Sequence, residues 1–297
     1  MKILVTGANG FLGYCLCRAL LSHGYQVVAT GRGECRLPFI GTPNFSYFPM
    51  DLVDSNQTRT IVSQAAADFI FHAAAIGKPD DCELNKELAT RINTAGTSLL
   101  LELATISCTP FCYISTDFVF DGNSGNYKEE DLVNPVNHYG VTKAEAELLV
   151  RSYPGVWSIV RTVLVYGRPM TGRSNLLSIV QEKLNAGQPY AVVDDQIRTP
   201  TYVEDLVNGL LLLLQKRANG IYHLCGEEVL TPYQMALQAA NYLGLDPAFL
   251  IRTNSNAFKQ PARRPLITGL IIDKSKQELG FQPRSFLQGL QATFSSS

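Results

Sequence analysis

No run of apolar residues in this chain is long enough to span a bilayer. The leucine cluster at 210–214 is short and stops at Gln215-Lys216-Arg217, so a buried helix is expected there. Charge is sparse: charged residues make up 17% of the chain and the formal net charge is -1. That balance excludes a nucleic-acid surface driven by phosphate neutralisation. The 4 histidines (His23, His72, His138, His223) are scattered and have no ligand spacing, so no metal is expected. The 7 cysteines (Cys15, Cys17, Cys35, Cys82, Cys108, Cys112, Cys225) are odd in number, and no two are spaced as Cys-x-x-Cys. A disulfide framework or zinc site is not expected, and buried reduced thiols in a cytoplasmic protein are. No internal repeat is visible, and low complexity is confined to the trailing Ser295-Ser296-Ser297. Met1 to Gly7 leads directly into a strand and turn, which predicts no signal peptide.

What is present is apolar bulk. Hydrophobic residues fill 46% of 297 positions, enough for one large domain or two smaller ones and too many for disorder. In the first half, short apolar runs alternate with helical patterns, which predicts an α/β fold with a parallel sheet. Strands are expected at 2–6, 25–30, 45–50, 69–73, 111–115 and 157–164, and helices at 12–22, 85–107 and 139–151, the last with Glu145 and Glu147 on its polar side. After Gly167 the pattern loosens. Segments rich in Pro, Gly and Asn at 168–175 and 254–265 separate helices at 176–185 and 232–243, while 203–214 and 221–224 are expected to return to the sheet.

Thr6-Gly7-Ala8-Asn9-Gly10-Phe11-Leu12-Gly13 follows the first strand and opens the first helix. Gly7 permits the tight turn, Gly10 lets backbone amides approach a pyrophosphate, and Gly13 allows close packing of helix on strand. The second strand ends in Ala29-Thr30-Gly31-Arg32, with no carboxylate until Glu34. An arginine there favours the extra phosphate of NADP(H), preferred over NAD(H). Asp51 is placed either to meet an adenine amine or to cap the helix beginning near Ser55.

Tyr139 and Lys143 lie four residues apart at the start of a predicted helix, one turn apart on the same face. An ammonium beside a phenol stabilises the phenolate and lowers its pKa, which predicts an acid-base catalyst.

Together these residues resemble the extended short-chain dehydrogenase/reductases and, within them, the dTDP-4-dehydrorhamnose reductase family, over nearly the whole chain. The likeness rests on Gly7 to Gly13, His72-Ala73-Ala74-Ala75, the run at 93–96, and Ser115-Thr116-Asp117-Phe118-Val119-Phe120-Asp121-Gly122. It continues through the Tyr139/Lys143 pair, Arg161-Thr162, Tyr166-Gly167, the run at 195–201 and Arg263-Arg264-Pro265. The resemblance implies a Rossmann-type doubly wound sheet over 1–166, rejoined near 196–224. A smaller C-terminal substrate-binding lobe would comprise 167–195 and 225–297. It implies NADPH-dependent reduction of a keto group on a nucleotide-activated deoxysugar, a small-molecule substrate, by a chain that can pair as a homodimer.

Residue by residue, the likeness implies a catalytic trio of Thr116, Tyr139 and Lys143. Cofactor contacts would come from Gly7, Asn9, Gly10, Phe11, Leu12, Gly13, Arg32, Asp51, Leu52, Ala73, Ala74, Ala75 and Asn93, besides Tyr139 and Lys143. Asp117, Phe118, Gln196, Arg198 and Arg264 would meet the substrate, with arginines suited to a diphosphate. Two positions depart from the family pattern. Phe118 stands where tyrosine is usual, and Val163-Leu164 replaces an aromatic, so the sugar pocket is expected to differ. Two other functions share the pattern: a nucleotide-sugar epimerase or dehydratase, and the non-catalytic regulatory β subunit of methionine adenosyltransferase, whose loop the run at 126–131 also resembles. Against a dehydratase, Asp117 is followed by Phe118 rather than by a second acid.

Overall fold

The apolar run Lys2–Thr6, buried almost throughout, forms the central strand β1, and α1 (Phe11–Ser22) follows it across the glycine-rich turn. This computed structural model describes residues 1–168 and 175–295, so most of the loop expected at 168–175 and the last two serines lie outside the described residues. Next come β2 (Gln26–Gly31), β3 (Phe45–Pro49), α2 (Ser55–Ala65), β4 (Phe69–His72), α3 (Pro79–Leu84), α4 (Lys86–Thr90), α5 (Gly96–Ser107), β5 (Phe111–Thr116), α6 (His138–Arg151) and β6 (Trp157–Thr162). The second half adds β7 (Val165–Tyr166), α7 (Leu176–Asn185), β8 (Tyr190–Val193), β9 (Thr201–Tyr202), α8 (Val203–Lys216), β10 (Gly220–His223), α9 (Pro232–Leu243), β11 (Leu250–Thr253) and α10 (Phe286–Phe294).

Seven strands make one sheet in the order β10-β6-β5-β4-β1-β2-β3, every pair parallel. Because β1 pairs with both β2 and β4, the winding reverses between β1 and β4, and a crevice opens outside their carboxyl ends. Residues 220–223 do return to the sheet, beside β6, and α8 packs on α1. Parallel β8 and β11 form a separate pair against α9, which also packs on α7. Among the described residues, no helix is long and apolar enough to cross a membrane.

Two expected elements are interrupted. The helix predicted at 85–107 passes through a π-helical turn at Arg91–Ala95 between α4 and α5. The strand predicted at 157–164 ends at Thr162, because Leu164 adopts φ 37, a left-handed conformation that a strand cannot contain. Short β7 then pairs with β9 instead.

Candidate active site at the carboxyl edge of the sheet

The reversal point opens into a cleft of about 660 Å³. Its floor is the glycine-rich turn. Gly7 has φ +72, and a Cβ there would lie 2.7 Å from the Ala73 carbonyl carbon and the Ala74 nitrogen. A Cβ on Gly13 would come within 2.3 Å of the Gly7 carbonyl oxygen. Strand, helix and the turn at Ala73 therefore approach more closely than side chains allow. No side chain caps α1, whose N-cap is Gly10, so its first-turn amides are left for a ligand, with the helix dipole behind them. Gly10, Phe11, Leu12, Gly13, Leu52, Ala73, Ala74 and Ala75 all line the cleft. This cradle, which added Cβ atoms would fill, fits a dinucleotide pyrophosphate.

Asn9 also lines the cleft, but its side chain is spent on the neighbouring loop. It donates to the Glu34 carbonyl at 2.9 Å and to Tyr47 Oη at 2.8 Å, and accepts from the Arg36 amide at 2.9 Å. That ties down the loop bearing Arg32 and Arg36, two exposed cations at the cleft's rim. The sequence reading missed Arg36; a second arginine four residues beyond Arg32 was the available signal. Asp51 lines the cleft, while the cap of α2 is Asp54, which accepts from the Gln57 amide at 2.9 Å. The capping alternative for Asp51 is thus removed.

Asn93 departs from its expected place. The π-turn carries it behind the cleft wall, where it accepts from the Ile76 amide at 2.8 Å and donates to the Ile76 carbonyl at 3.2 Å and Thr142 Oγ1 at 3.0 Å. It braces the cleft from behind and does not line it.

Thr116, Tyr139 and Lys143 come together in the same cleft. Thr116 ends β5, and Asn137 caps α6 by accepting from the Gly140 amide at 2.9 Å. A Cβ on Gly140 would lie 2.1 Å from the Phe118 carbonyl oxygen, so only glycine lets α6 meet the turn after β5. Thr116 Oγ1 donates to Asp117 Oδ1 at 3.0 Å and accepts from the Phe118 amide at 3.2 Å. The Phe118 ring stands edge-on to Tyr139, centroids 5.9 Å apart.

The expected acidification of Tyr139 by Lys143 is not what the structure holds. Burial pushes the phenol well above its ordinary value; the Thr116 hydroxyl pulls it back, and Asp117 and Cys82 push it further up. Lys143 turns elsewhere: Nζ donates to the Ile114 carbonyl at 2.6 Å and sits 4.0 Å over the Tyr113 ring. Burial also drives the lysine down to about 7, so desolvation outweighs the attraction that the spacing suggested. Both shifts favour the protonated phenol, which suits a proton donor.

The substrate-side residues Asp117, Phe118, Gln196, Arg198 and Arg264 also line the cleft, beside Leu164. Arg198, however, is already committed. Its Nη1 donates to the Ile197 and Leu266 carbonyls at 2.8 Å, and its Nη2 to the Pro265 carbonyl at 2.7 Å and Gln196 Oε1 at 3.0 Å. Its Nε lies 3.9 Å from buried Asp117, which also accepts from Thr268. The expectation that Arg198 grips a diphosphate is thereby corrected: it holds the strand entry to the 265–268 segment. Arg264 donates to both carboxylate oxygens of Asp80 on α3, at 2.8 and 2.7 Å. Asp195 likewise accepts from Ser255. Leu164, 40% exposed, is an apolar surface at the cleft held in a strained backbone conformation.

The comparisons with known proteins agree with this geometry. The chain is 30% identical over 292 residues to the spore coat polysaccharide biosynthesis protein SpsK of Bacillus subtilis, covering 98% of this chain and 95% of that one. It is 30% identical over 270 residues to methionine adenosyltransferase 2 subunit beta of Bos taurus, covering 89% and 78%. The crystal structure of dTDP-4-dehydrorhamnose reductase from Bacillus anthracis in complex with NADP superposes with a TM-score of 0.86 at 26% identity, covering 99% and 98%. Residues 1–297 match the RmlD substrate binding domain family, and the chain belongs to that family, an extended short-chain dehydrogenase/reductase of the dTDP-4-dehydrorhamnose reductase kind.

Proposed function

We propose that this protein is an NADPH-dependent reductase of a keto group on a nucleotide-activated deoxysugar, of the dTDP-4-dehydrorhamnose type. One observation carries the reading: the half-buried Tyr139 phenol on α6 and the Thr116 hydroxyl at the end of β5 stand in the same cleft as the glycine cradle. NADPH, when bound, supplies the hydride. Tyr139 Oη gives its proton to the carbonyl oxygen, and the Thr116 hydroxyl, turning its proton away from Asp117, donates to the same oxygen. Lys143 holds the cofactor's ribose, while Arg32 and Arg36 answer the phosphate that distinguishes NADPH from NADH. Residues 167–195 and 225–297 act as the substrate lobe, with Phe118 and Leu164 giving the sugar an apolar wall. Free thiols, mostly buried, suit a reducing cytoplasm. A homodimer is proposed as the assembly, since Ile106 and Leu148 stand exposed on neighbouring helices α5 and α6.

The likeness to a methionine adenosyltransferase β subunit favours a second reading, a binding partner without turnover. An assay of NADPH fluorescence with a panel of dTDP-4-dehydro-6-deoxy sugars separates the two. Oxidation by the parent, lowered roughly 10²–10⁴-fold in Tyr139→Phe with NADPH binding kept, supports the reductase. Absence of turnover together with co-purification of an adenosyltransferase supports the partner, and parent-rate turnover by Tyr139→Phe overturns the mechanism.

A further inference from the structure

Glu147 lies one helical turn beyond Lys143 on α6, and both residues are only 3% exposed, so the polar side expected for Glu147 is in fact interior. Its Oε1 accepts from Ser115 Oγ at 2.5 Å and from Arg161 Nε at 3.0 Å, and its Oε2 from Arg161 Nη2 at 2.7 Å. Ser115 and Arg161 are register partners on β5 and β6, so two central strands hold the carboxylate in place. The same stretch of β5 supplies the Ile114 carbonyl and Tyr113 ring that receive the Lys143 ammonium. Ser115 itself lines the cleft.

A buried ion pair is weak evidence for stability, because well-packed apolar residues often do as well in its place. Its position suggests a different use. The other titratable groups around Lys143 are Tyr139 on its own helix, Tyr113 on β5, His72 on β4 and Cys82 on α3. Burial pushes both phenols up, the Cys82 thiol up to about 11 and His72 down to about 3. None of these four carries a charge near neutral pH. What opposes the desolvation of Lys143 is first Glu147.

We propose that Glu147, fixed by Arg161 and Ser115, is a positioning residue whose negative charge raises the share of Lys143 held as an ammonium in the cleft. The inference rests on the reading of Tyr139 and Lys143 as the catalytic pair. It makes the working unit one face of α6 over two turns, Tyr139, Lys143 and Glu147, backed by an arginine from the next strand.

The test is the titration of Lys143 in the full chain, followed by NMR of ¹⁵Nζ-labelled lysine and assigned through Lys143→Met. Glu147→Gln should move the Lys143 midpoint down by about one pH unit or more, a tenfold loss of the charged form above it. The pH profile of kcat should shift with it, and Glu147→Asp should restore most of both. Should Glu147→Gln fail to fold, the double variant Glu147→Leu with Arg161→Met removes the pair at similar volume and should show the same shift. An unchanged Lys143 midpoint in a folded variant overturns the proposal, whatever happens to stability. Parent-rate turnover by Lys143→Met would instead sink the catalytic reading, and the lysine titration would still score Glu147.

Discussion

The two ends of the cleft are built from different material. The nucleotide end is backbone: a glycine turn, an uncapped helix start and strand ends that approach within contact of one another. The substrate end is side chains, and its cations are already in use. Arg198 bonds three carbonyls and faces Asp117, and Arg264 clamps Asp80 on α3. A backbone site keeps its shape when its side chains change. A site whose arginines also hold the lobe together will register substitution first as lost stability and only then as lost affinity.

The sharpest way to break that comparison is to remove Arg198. It and Asp117 are each 4% exposed, and Arg198→Met leaves a buried carboxylate facing no cation. Loss of one partner of a buried pair costs about 3–5 kcal/mol, which a denaturant melt should reveal. Arg264→Met should cost about 1 kcal/mol or less, since Arg264 and Asp80 are 14% and 34% exposed, and should chiefly raise KM for the sugar. Were Arg198→Met to melt with the parent while KM rose steeply, Arg198 would be a ligand after all and the contrast between the two ends would collapse.

The nucleotide end has its own exception in the exposed loop of Arg32 and Arg36. Each phosphate contact from an arginine is worth about 1.5–3 kcal/mol. Arg32→Ala should therefore lower the NADPH-to-NADH affinity ratio by roughly 10–100-fold, and Arg36→Ala should act in the same direction. Fluorescence titration with both cofactors measures it. An unchanged ratio in both variants would leave the cofactor preference to something other than this loop.

How much of this could be read in the sequence depended on how far apart the cooperating residues stand. The glycine turn, the strand end at Thr116 and the Tyr139/Lys143 spacing are each contained in one element, and periodicity places them. The polar network is not local. Asp80 and Arg264 are 184 residues apart, Asp117 and Thr268 are 151 apart, and Ser115 reaches Glu147 across 32. In isolation Glu147 looks like a solvated helix residue, and Arg198 looks like a free hand for a phosphate. The π-turn that withdraws Asn93 has no signature in residue spacing. Nor does spacing report desolvation, so the Tyr139/Lys143 pair was located correctly while the direction of the tyrosine's shift was not.

That sign has a consequence for stability, the smallest effect and the most specific. Burial lowers Lys143 from an ordinary 10.5 to about 7. Between those values the unfolded chain holds more protons on this residue than the folded chain does, so stability must rise with pH across the window. The penalty of burying the ammonium is complete below pH 7 and relieved toward 10.5. From pH 7 to 8 this single group should add about 1 kcal/mol to the unfolding free energy of the cofactor-free protein. The interval also isolates it. His72 and His223, both lowered to about 3, act mainly below their unfolded value of 6.5, whereas thiols such as Cys225, raised to about 12, begin to oppose it only as their unfolded forms ionise near 9. Lys143→Met should flatten the curve between pH 7 and 8 and be the more stable protein at pH 7. A variant that keeps the parent's slope would mean that the lysine is charged in the folded state across this window, and that another group supplies the pH dependence.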